Sequence, residues 1–130
     1  MIGLDTNVLI RYIAQDDVIQ SKKATALIEN QLSEQHLGYI TLITVIEIVW
    51  VLESCYSQKK AVLINIIESL VKTKQFLIER ADIVHLALKA YKSGNGDFSD
   101  AVIVALCKDT GCTEIVTFEK KTLSVGMSKI

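Results

Sequence analysis

Five acidic residues stand where the surrounding sequence predicts a buried strand, a buried helix or the turn directly after one. They are Asp5, Glu47, Asp97, Asp100 and Glu119. Asp5 and Glu119 follow apolar strand-like runs, Glu47 interrupts a helix that is otherwise almost entirely apolar, and Asp97 and Asp100 open another apolar helix. Residues three apart share one helix face. Because carboxylates are rarely placed among apolar residues without a partner, this set is the first candidate for chemistry.

The chemistry depends on whether these acids meet. Strand ends and the helix starts that follow them face one edge of a parallel sheet, so we expect Asp5, Glu119 and the Asp97/Asp100 pair to converge there. Clustered carboxylates repel one another and stay ionised together only around a cation. We therefore expect Asp100→Ala to leave the fold intact or more stable. Oxygen ligands without His or Cys select Mg²⁺ or Mn²⁺, as in phosphodiester hydrolysis by one or two metal ions.

Each acid also has a purely structural explanation. Asp5 and Asp97 could be helix N-caps, and Asp100 could lie in a first helical turn, where the helix dipole favours acids. Thr44 and Glu47 have the spacing of a capping box, with Ile43 and Ile48 as its hydrophobic staple. Glu119 could be an ordinary exposed loop residue. The sequence leaves these alternatives open.

Strands alternate with helices along the chain, and this order predicts how the acids are positioned. The predicted strands are 1–4, 38–41, 76–78 and 115–117, with a short edge strand within 124–130. The predicted helices are 8–13, one that Asp17 caps with Gln20 as its partner, 44–55, one opened by Ser57, one capped by Asp82, and 101–108 stopped by Gly111. We predict an α/β fold with a mostly parallel sheet of four or five strands wrapped by helices.

Two of the predicted helices, 44–55 and 101–108, are apolar on nearly every side, which is typical of a buried helix. Trp50 lies in the first of them. We therefore predict that Trp50 belongs to the core and is not a platform on which a nucleic-acid base stacks.

The bulk composition is that of one globular domain. The chain has 130 residues, of which 50% are hydrophobic and 22% charged, and we expect a single domain over residues 1–130. A net charge of -1 neither favours nor excludes nucleic acid as a partner. Three cysteines without a Cys-x-x-Cys pair argue against a disulfide framework or a zinc site and favour the cytoplasm. The longest apolar tract, residues 39–52, contains Glu47 and is too short to span a membrane.

Three motifs together resemble the signature of PIN-domain ribonucleases. They are Asp5-Thr6-Asn7, a lone Glu47 between two isoleucines, and the run Gly-Asp-Phe-Ser-Asp-Ala at 96–101. The members most like this chain are the small VapC-type toxins of bacterial toxin–antitoxin pairs. The resemblance covers essentially the whole chain and depends on the order and spacing of the motifs, since no single one is specific.

The resemblance implies a Mg²⁺- or Mn²⁺-dependent cleavage of single-stranded RNA that leaves a 5′-phosphate. By it, Asp5 and Asp100 hold the metal, while Glu47 and Asp97 complete its shell or orient water. Many members carry an aspartate after the last core strand, where this chain has Glu119. Thr6 and Asn7 would orient substrate or support the ligands. The resemblance further implies a cognate antitoxin that blocks the site, and a homodimer.

Two other functions are compatible with the same residues. One is another metal-dependent α/β phosphohydrolase. If it formed an aspartyl-phosphate on Asp5, it would want an acid two residues later, where Asn7 stands, and an amide is no general acid or base. The other is a PIN-like nucleic-acid-binding module that has lost catalysis. The acids argue against that module, because carboxylates kept together without a use lower stability.

Overall fold

Strands and helices alternate as predicted. The computed structural model describes residues 1–130, which form two units, Met1–Glu79 and Arg80–Ile130. The first unit contains β1 (Ile2–Gly3), α1 (Thr6–Ala14), α2 (Val18–Ala26), a π-helical turn (Leu27–Gln31), β2 (Gly38–Ile40), α3 (Leu42–Ser54), α4 (Lys60–Lys72) and β3 (Phe76–Ile78). The second contains α5 (Ala81–Ser93), α6 (Phe98–Thr110), β4 (Val116–Thr117), a 3-10 helix (Lys120–Val125) and β5 (Ser128–Lys129). The single domain over 1–130 stays a prediction.

The α/β class and the parallel strands are confirmed, but the strands form two sheets. In the first unit β1, β2 and β3 pair side by side, all parallel, with Gly38 opposite Ile2 on one side and Phe76 on the other. In the second unit β4 pairs in parallel with β5. A single sheet of four or five strands was therefore the wrong prediction. In β4 the apolar side chain of Val116 keeps 55% of its surface exposed, so the apolar run at 115–117 does not have the burial on both faces that a strand inside a larger parallel sheet would have.

The central strand β2 sets the packing of the first unit. Ile40 is fully buried, and Gly38 is buried where the side chains of Leu4 and Leu32 close over the strand. A Cβ added at Gly38 would lie 2.7 Å from Leu4 Cδ1 and 2.8 Å from Leu32 Cδ1. Glycine is therefore the residue that allows this close approach.

Helix α3 begins earlier than predicted. Thr41, directly after β2, is its N-cap and accepts a hydrogen bond from the Thr44 N–H at 3.1 Å. Glu79, directly after β3, accepts from the Leu42 N–H at 2.9 Å. Because Thr44 lies inside the helix, the capping box of Thr44 and Glu47 was a wrong alternative.

Two other helix starts also differ. The N-cap of α4 is Lys59, since Ser57 adopts a left-handed conformation with φ of 53° and ends the preceding turn. The N-cap of α5 is Arg80, and Asp82 lies in the first turn, where it pairs with the Arg80 guanidinium at 3.0 Å. Two predicted helix ends are confirmed. Asp17 caps α2 by accepting a hydrogen bond from the Gln20 N–H, and Gly111 ends α6 with φ of 101°.

The prediction that α3 is buried all round is wrong. One face packs on α1 and α4, but Ile43 and Trp50 keep 69% and 64% of their surface exposed. The side of α3 that contacts neither α1 nor α4 stays exposed to solvent, even though it carries these two apolar side chains. None of the helices combines the length and the hydropathy that crossing a membrane requires.

A polar network joins the ends of α1 and α3. The Tyr56 hydroxyl donates to Asp16 Oδ2 at 2.6 Å, and Arg11 Nη1 lies 3.2 Å from Asp16 Oδ1. Arg11 Nε also donates to the Gln20 side chain at 2.8 Å, so Gln20 does not complete a capping box with Asp17. The hydrogen bond from Tyr56 is the main cause that lowers the pKa of the Asp16 carboxyl.

Gly38→Ala should destabilise the protein by about 1 kcal/mol, at the lower end of overpacking costs because leucine methyl groups can shift. The measurement is urea unfolding. Gly3→Ala is the matched control in the neighbouring strand, where a Cβ would meet nothing within 4 Å. Equal losses in both variants would show that the leucine contacts are not the cause.

Tyr56→Phe should raise the pKa of Asp16 and lower stability at neutral pH. A carboxyl whose folded pKa is depressed stabilises above its unfolded pKa of about 3.9, and that contribution is lost as pH falls through the folded value. The difference in unfolding free energy between wild type and Tyr56→Phe should therefore shrink below about pH 4. In an Asp16→Asn background the pH-dependent part should vanish; a difference that persists there at every pH would contradict this account.

Candidate active site

Asp5 occupies the N-cap position of α1 without capping it. Its backbone is extended, with φ of −77° and ψ of 157°, and its carbonyl accepts from the Val8 N–H at 3.1 Å. The carboxylate makes no cap hydrogen bond, and the residue is exposed. The structural explanation of Asp5 as a helix cap therefore does not account for its side chain.

Glu47 is tied to the residue next to Asp5. Thr6, buried to 7% exposure at the start of α1, donates its hydroxyl to Glu47 Oε1 at 3.0 Å. This bond connects residues that are 41 apart in sequence and joins the first turn of α1 to the second turn of α3. The structure thus brings Glu47 into contact with the residue that follows Asp5, a pairing that the predicted order of strands and helices had not included.

Asp97 and Asp100 form a capping box at the start of α6. Its well-formed half is the bond from the Asp97 N–H to Asp100 Oδ2 at 3.0 Å. The structural explanation of these two residues as helix-capping acids is therefore confirmed. It also changes one expectation. Removing the Asp100 carboxylate deletes a cap, which costs about 1 kcal/mol, so the fold of Asp100→Ala should not be more stable.

Lys121 is a cation beside these aspartates that the sequence did not single out. Its Nζ lies 3.2 Å from Asp97 Oδ2. The pKa of Lys121 is raised, first by this hydrogen bond and the charge of Asp97, and further by the charges of Asp100 and Glu119. The signal in the sequence is a lysine two residues after the acid that follows the last core strand, but such lysines are usually solvated.

Glu119 follows β4, as predicted, and precedes the 3-10 helix without capping it through its side chain. Its N–H donates to Thr117 Oγ1 at 3.0 Å, and its carbonyl accepts from Thr122 Oγ1 at 2.8 Å. These backbone bonds hold the turn while the exposed carboxylate stays in solvent. The structure does not give Glu119 a role, and its part in catalysis stays a prediction.

The acids fit a hard divalent cation by the chemistry of their donor atoms. Asp5 with Glu47 in the first unit, and Asp97 with Asp100 in the second, offer only oxygen ligands. Within neither unit do three or more His, Cys, Asp or Glu side chains form a group that could hold a metal ion. Mg²⁺ is commonly bound through one or two carboxylates, with waters and substrate phosphates completing its octahedron. A pair of acids is therefore a sufficient protein contribution to such a site.

Thr6→Val should destabilise the protein by about 1 kcal/mol, because it removes the hydrogen bond to Glu47 and keeps the shape of the side chain. Chemical denaturation measures the loss. Thr6→Ser keeps the hydroxyl and should recover most of it. If Thr6→Ser is as unstable as Thr6→Val, the methyl group and not the bond is what matters.

Comparison with known proteins identifies the family of the chain. The chain matches the family model for the PIN domain over residues 2–126. It is 22% identical over 128 residues to a VapC ribonuclease of Aquifex aeolicus (strain VF5), an alignment that covers 98% of this chain and 93% of that protein. No solved structure matches the chain significantly. Since the family model spans nearly every described element, from β1 to the 3-10 helix, this chain belongs to the PIN-domain family.

Proposed function

We propose that this protein is a metal-dependent endoribonuclease that cleaves single-stranded RNA and acts as the toxin of a toxin–antitoxin pair. The observation that carries the proposal is the Asp5 carboxylate, exposed and unused by the helix that it precedes, beside a Glu47 that Thr6 holds in place. Membership of the PIN-domain family and the similarity to a VapC ribonuclease support it.

In this proposal Asp5, Glu47, Asp97 and Asp100 are the ligands of Mg²⁺ or Mn²⁺. Such an ion, when bound, lowers the pKa of water and offsets the negative charge that develops on the phosphate. The protein contributes orientation: Thr6 fixes one oxygen of Glu47, and the capping box fixes one oxygen of Asp100. Each carboxylate then has a second oxygen for the ion.

Lys121 and Glu119 are the charged residues that the proposal places beside Asp97 and Asp100. Lys121 neutralises Asp97 through an ion pair between two half-exposed side chains, an interaction that contributes little to stability and is easily exchanged. A divalent ion can therefore replace it at small cost. We also assign Glu119 a part in catalysis through water, because its side chain is one methylene longer than that of an aspartate at this position.

The partners follow from the same proposal. The proposal includes a cognate antitoxin that blocks the site, and the similarity to a VapC ribonuclease supports such a partner. We also propose a homodimer and a cytoplasmic location; three free cysteines suit a reducing compartment.

One observation favours a second candidate, a PIN-like nucleic-acid-binding module without catalysis. Asp97 and Asp100 have a structural use as a capping box, so their presence does not by itself require a metal. Asp5 has no such use. The variant that separates the two functions must therefore be at Asp5.

Asp5→Asn should abolish cleavage of single-stranded RNA and weaken Mn²⁺ binding while leaving the fold unchanged, because it removes a charge that no hydrogen bond uses. Activity is measured on a labelled oligonucleotide, Mn²⁺ binding by calorimetry, and folding by circular dichroism. Asp17→Asn is the matched control, since asparagine also caps a helix and should leave cleavage intact.

Three outcomes would overturn the assignment. Full cleavage by Asp5→Asn would remove Asp5 from the site. RNA binding without cleavage by the wild type in Mg²⁺ or Mn²⁺ would support the inactive module. Release of phosphate from a small monoester, without RNA cleavage, would support another phosphohydrolase.

A further inference from the structure

The exposed face of α3 carries an unusual sequence of side chains. Ile43, Glu47, Trp50 and Ser54 follow at helical spacing and are all exposed. Trp50 leaves 64% of its surface in solvent although indole is a large apolar group that proteins usually bury. It is also the only tryptophan in the chain. The proposed catalytic acid therefore lies between two exposed apolar side chains.

We propose that Trp50 is a stacking platform for a base of the single-stranded RNA substrate, next to the phosphate that is cleaved. The proposal rests on the proposed function. Residues three apart on a helix have Cβ atoms about 5–6 Å from each other, so a base on the Trp50 ring lies within one nucleotide of Glu47. Every base has an aromatic face, so stacking holds RNA without reading its sequence.

Stacking on a base does not depend on the charge of the chain, whose net value of -1 neither favours nor excludes nucleic acid as a partner. Arg11, which lies one turn along α1 from Asn7, is already paired with Asp16 and Gln20. Because this arginine is already paired, a contact that needs no charge adds to the binding of single-stranded RNA. Stacking on an aromatic side chain contributes about 1–3 kcal/mol per base.

The same face is a poor surface for a second copy of this chain. The two apolar side chains are separated by the carboxylate of Glu47, and Glu53 and Ser54 beyond Trp50 are also exposed. A stable dimer buries about 800 Å² on each partner around a core that is depleted in charged residues. A stripe with a carboxylate at its centre does not meet that requirement, whereas a single base needs only the ring of Trp50.

The test uses the lone tryptophan as its own reporter. In EDTA, titration of the wild type with a short single-stranded RNA should quench tryptophan fluorescence. By anisotropy of labelled RNA, Trp50→Ala should bind about 5- to 150-fold more weakly, the equivalent of the stacking energy, and Trp50→Phe should lose less. In Mg²⁺, Trp50→Ala should raise KM with little change in kcat. Ile43→Ala, equally exposed on the other side of Glu47, should bind as the wild type does.

Absence of quenching, with RNA affinity of Trp50→Ala equal to that of Ile43→Ala, would overturn the inference. If Asp5→Asn still abolishes cleavage, that result leaves the proposed function standing. If Trp50→Ala changes the mass in light scattering from dimer to monomer and leaves RNA affinity unchanged, Trp50 is a subunit contact and the inference is wrong. A wild type that neither binds nor cleaves RNA would overturn the proposed function first.

Discussion

The hydrogen bond from Thr6 to Glu47 is the constraint on which the first half of the candidate site depends. It fixes the start of α1 against α3, and because Asp5 directly precedes Thr6, it also fixes where that carboxylate lies relative to Glu47. The bond exists because β1 and β2 are parallel neighbours, so the helices that follow them begin at one edge of the sheet. A glutamate in an apolar helix is therefore not a packing error but the partner of a buried hydroxyl.

Acids at helix starts can be explained either by helix capping or by catalysis, and the structure shows that capping explains some of them and not others. Asp97 and Asp100 satisfy backbone N–H groups of α6, as acids at this position commonly do. Asp5 stands at an equivalent position and leaves its helix uncapped. The difference matters because a carboxylate without a structural use is the better indicator of function. An asparagine at 100 can keep the cap and remove the charge, so stability and activity can be separated at that residue.

Burial was the property that the sequence predicted least well. The apolar pattern of α3 correctly predicted a helix, but it could not predict which face of that helix would be exposed to solvent. Packing against α1 and α4 covers two sides and leaves Ile43 and Trp50 outside. An apolar residue on an all-apolar helix has no local signal that separates a core position from an exposed one, since both have the same neighbours in sequence.

The sequence alone determined the alternation of strands and helices, the end of α6 at Gly111 and the acids that follow β1 and β4, because turn chemistry and hydrophobic periodicity act over a few residues. Parallel pairing follows from that alternation, since a helical connection between two strands returns the chain to the same edge of the sheet. Tertiary structure decided the division of the strands into two sheets, the start of α3 at Leu42, the partner of Glu47 and the exposure of Trp50. These features depend on contacts between residues tens of positions apart. No local pattern specifies such contacts, since they form only when separate elements pack together.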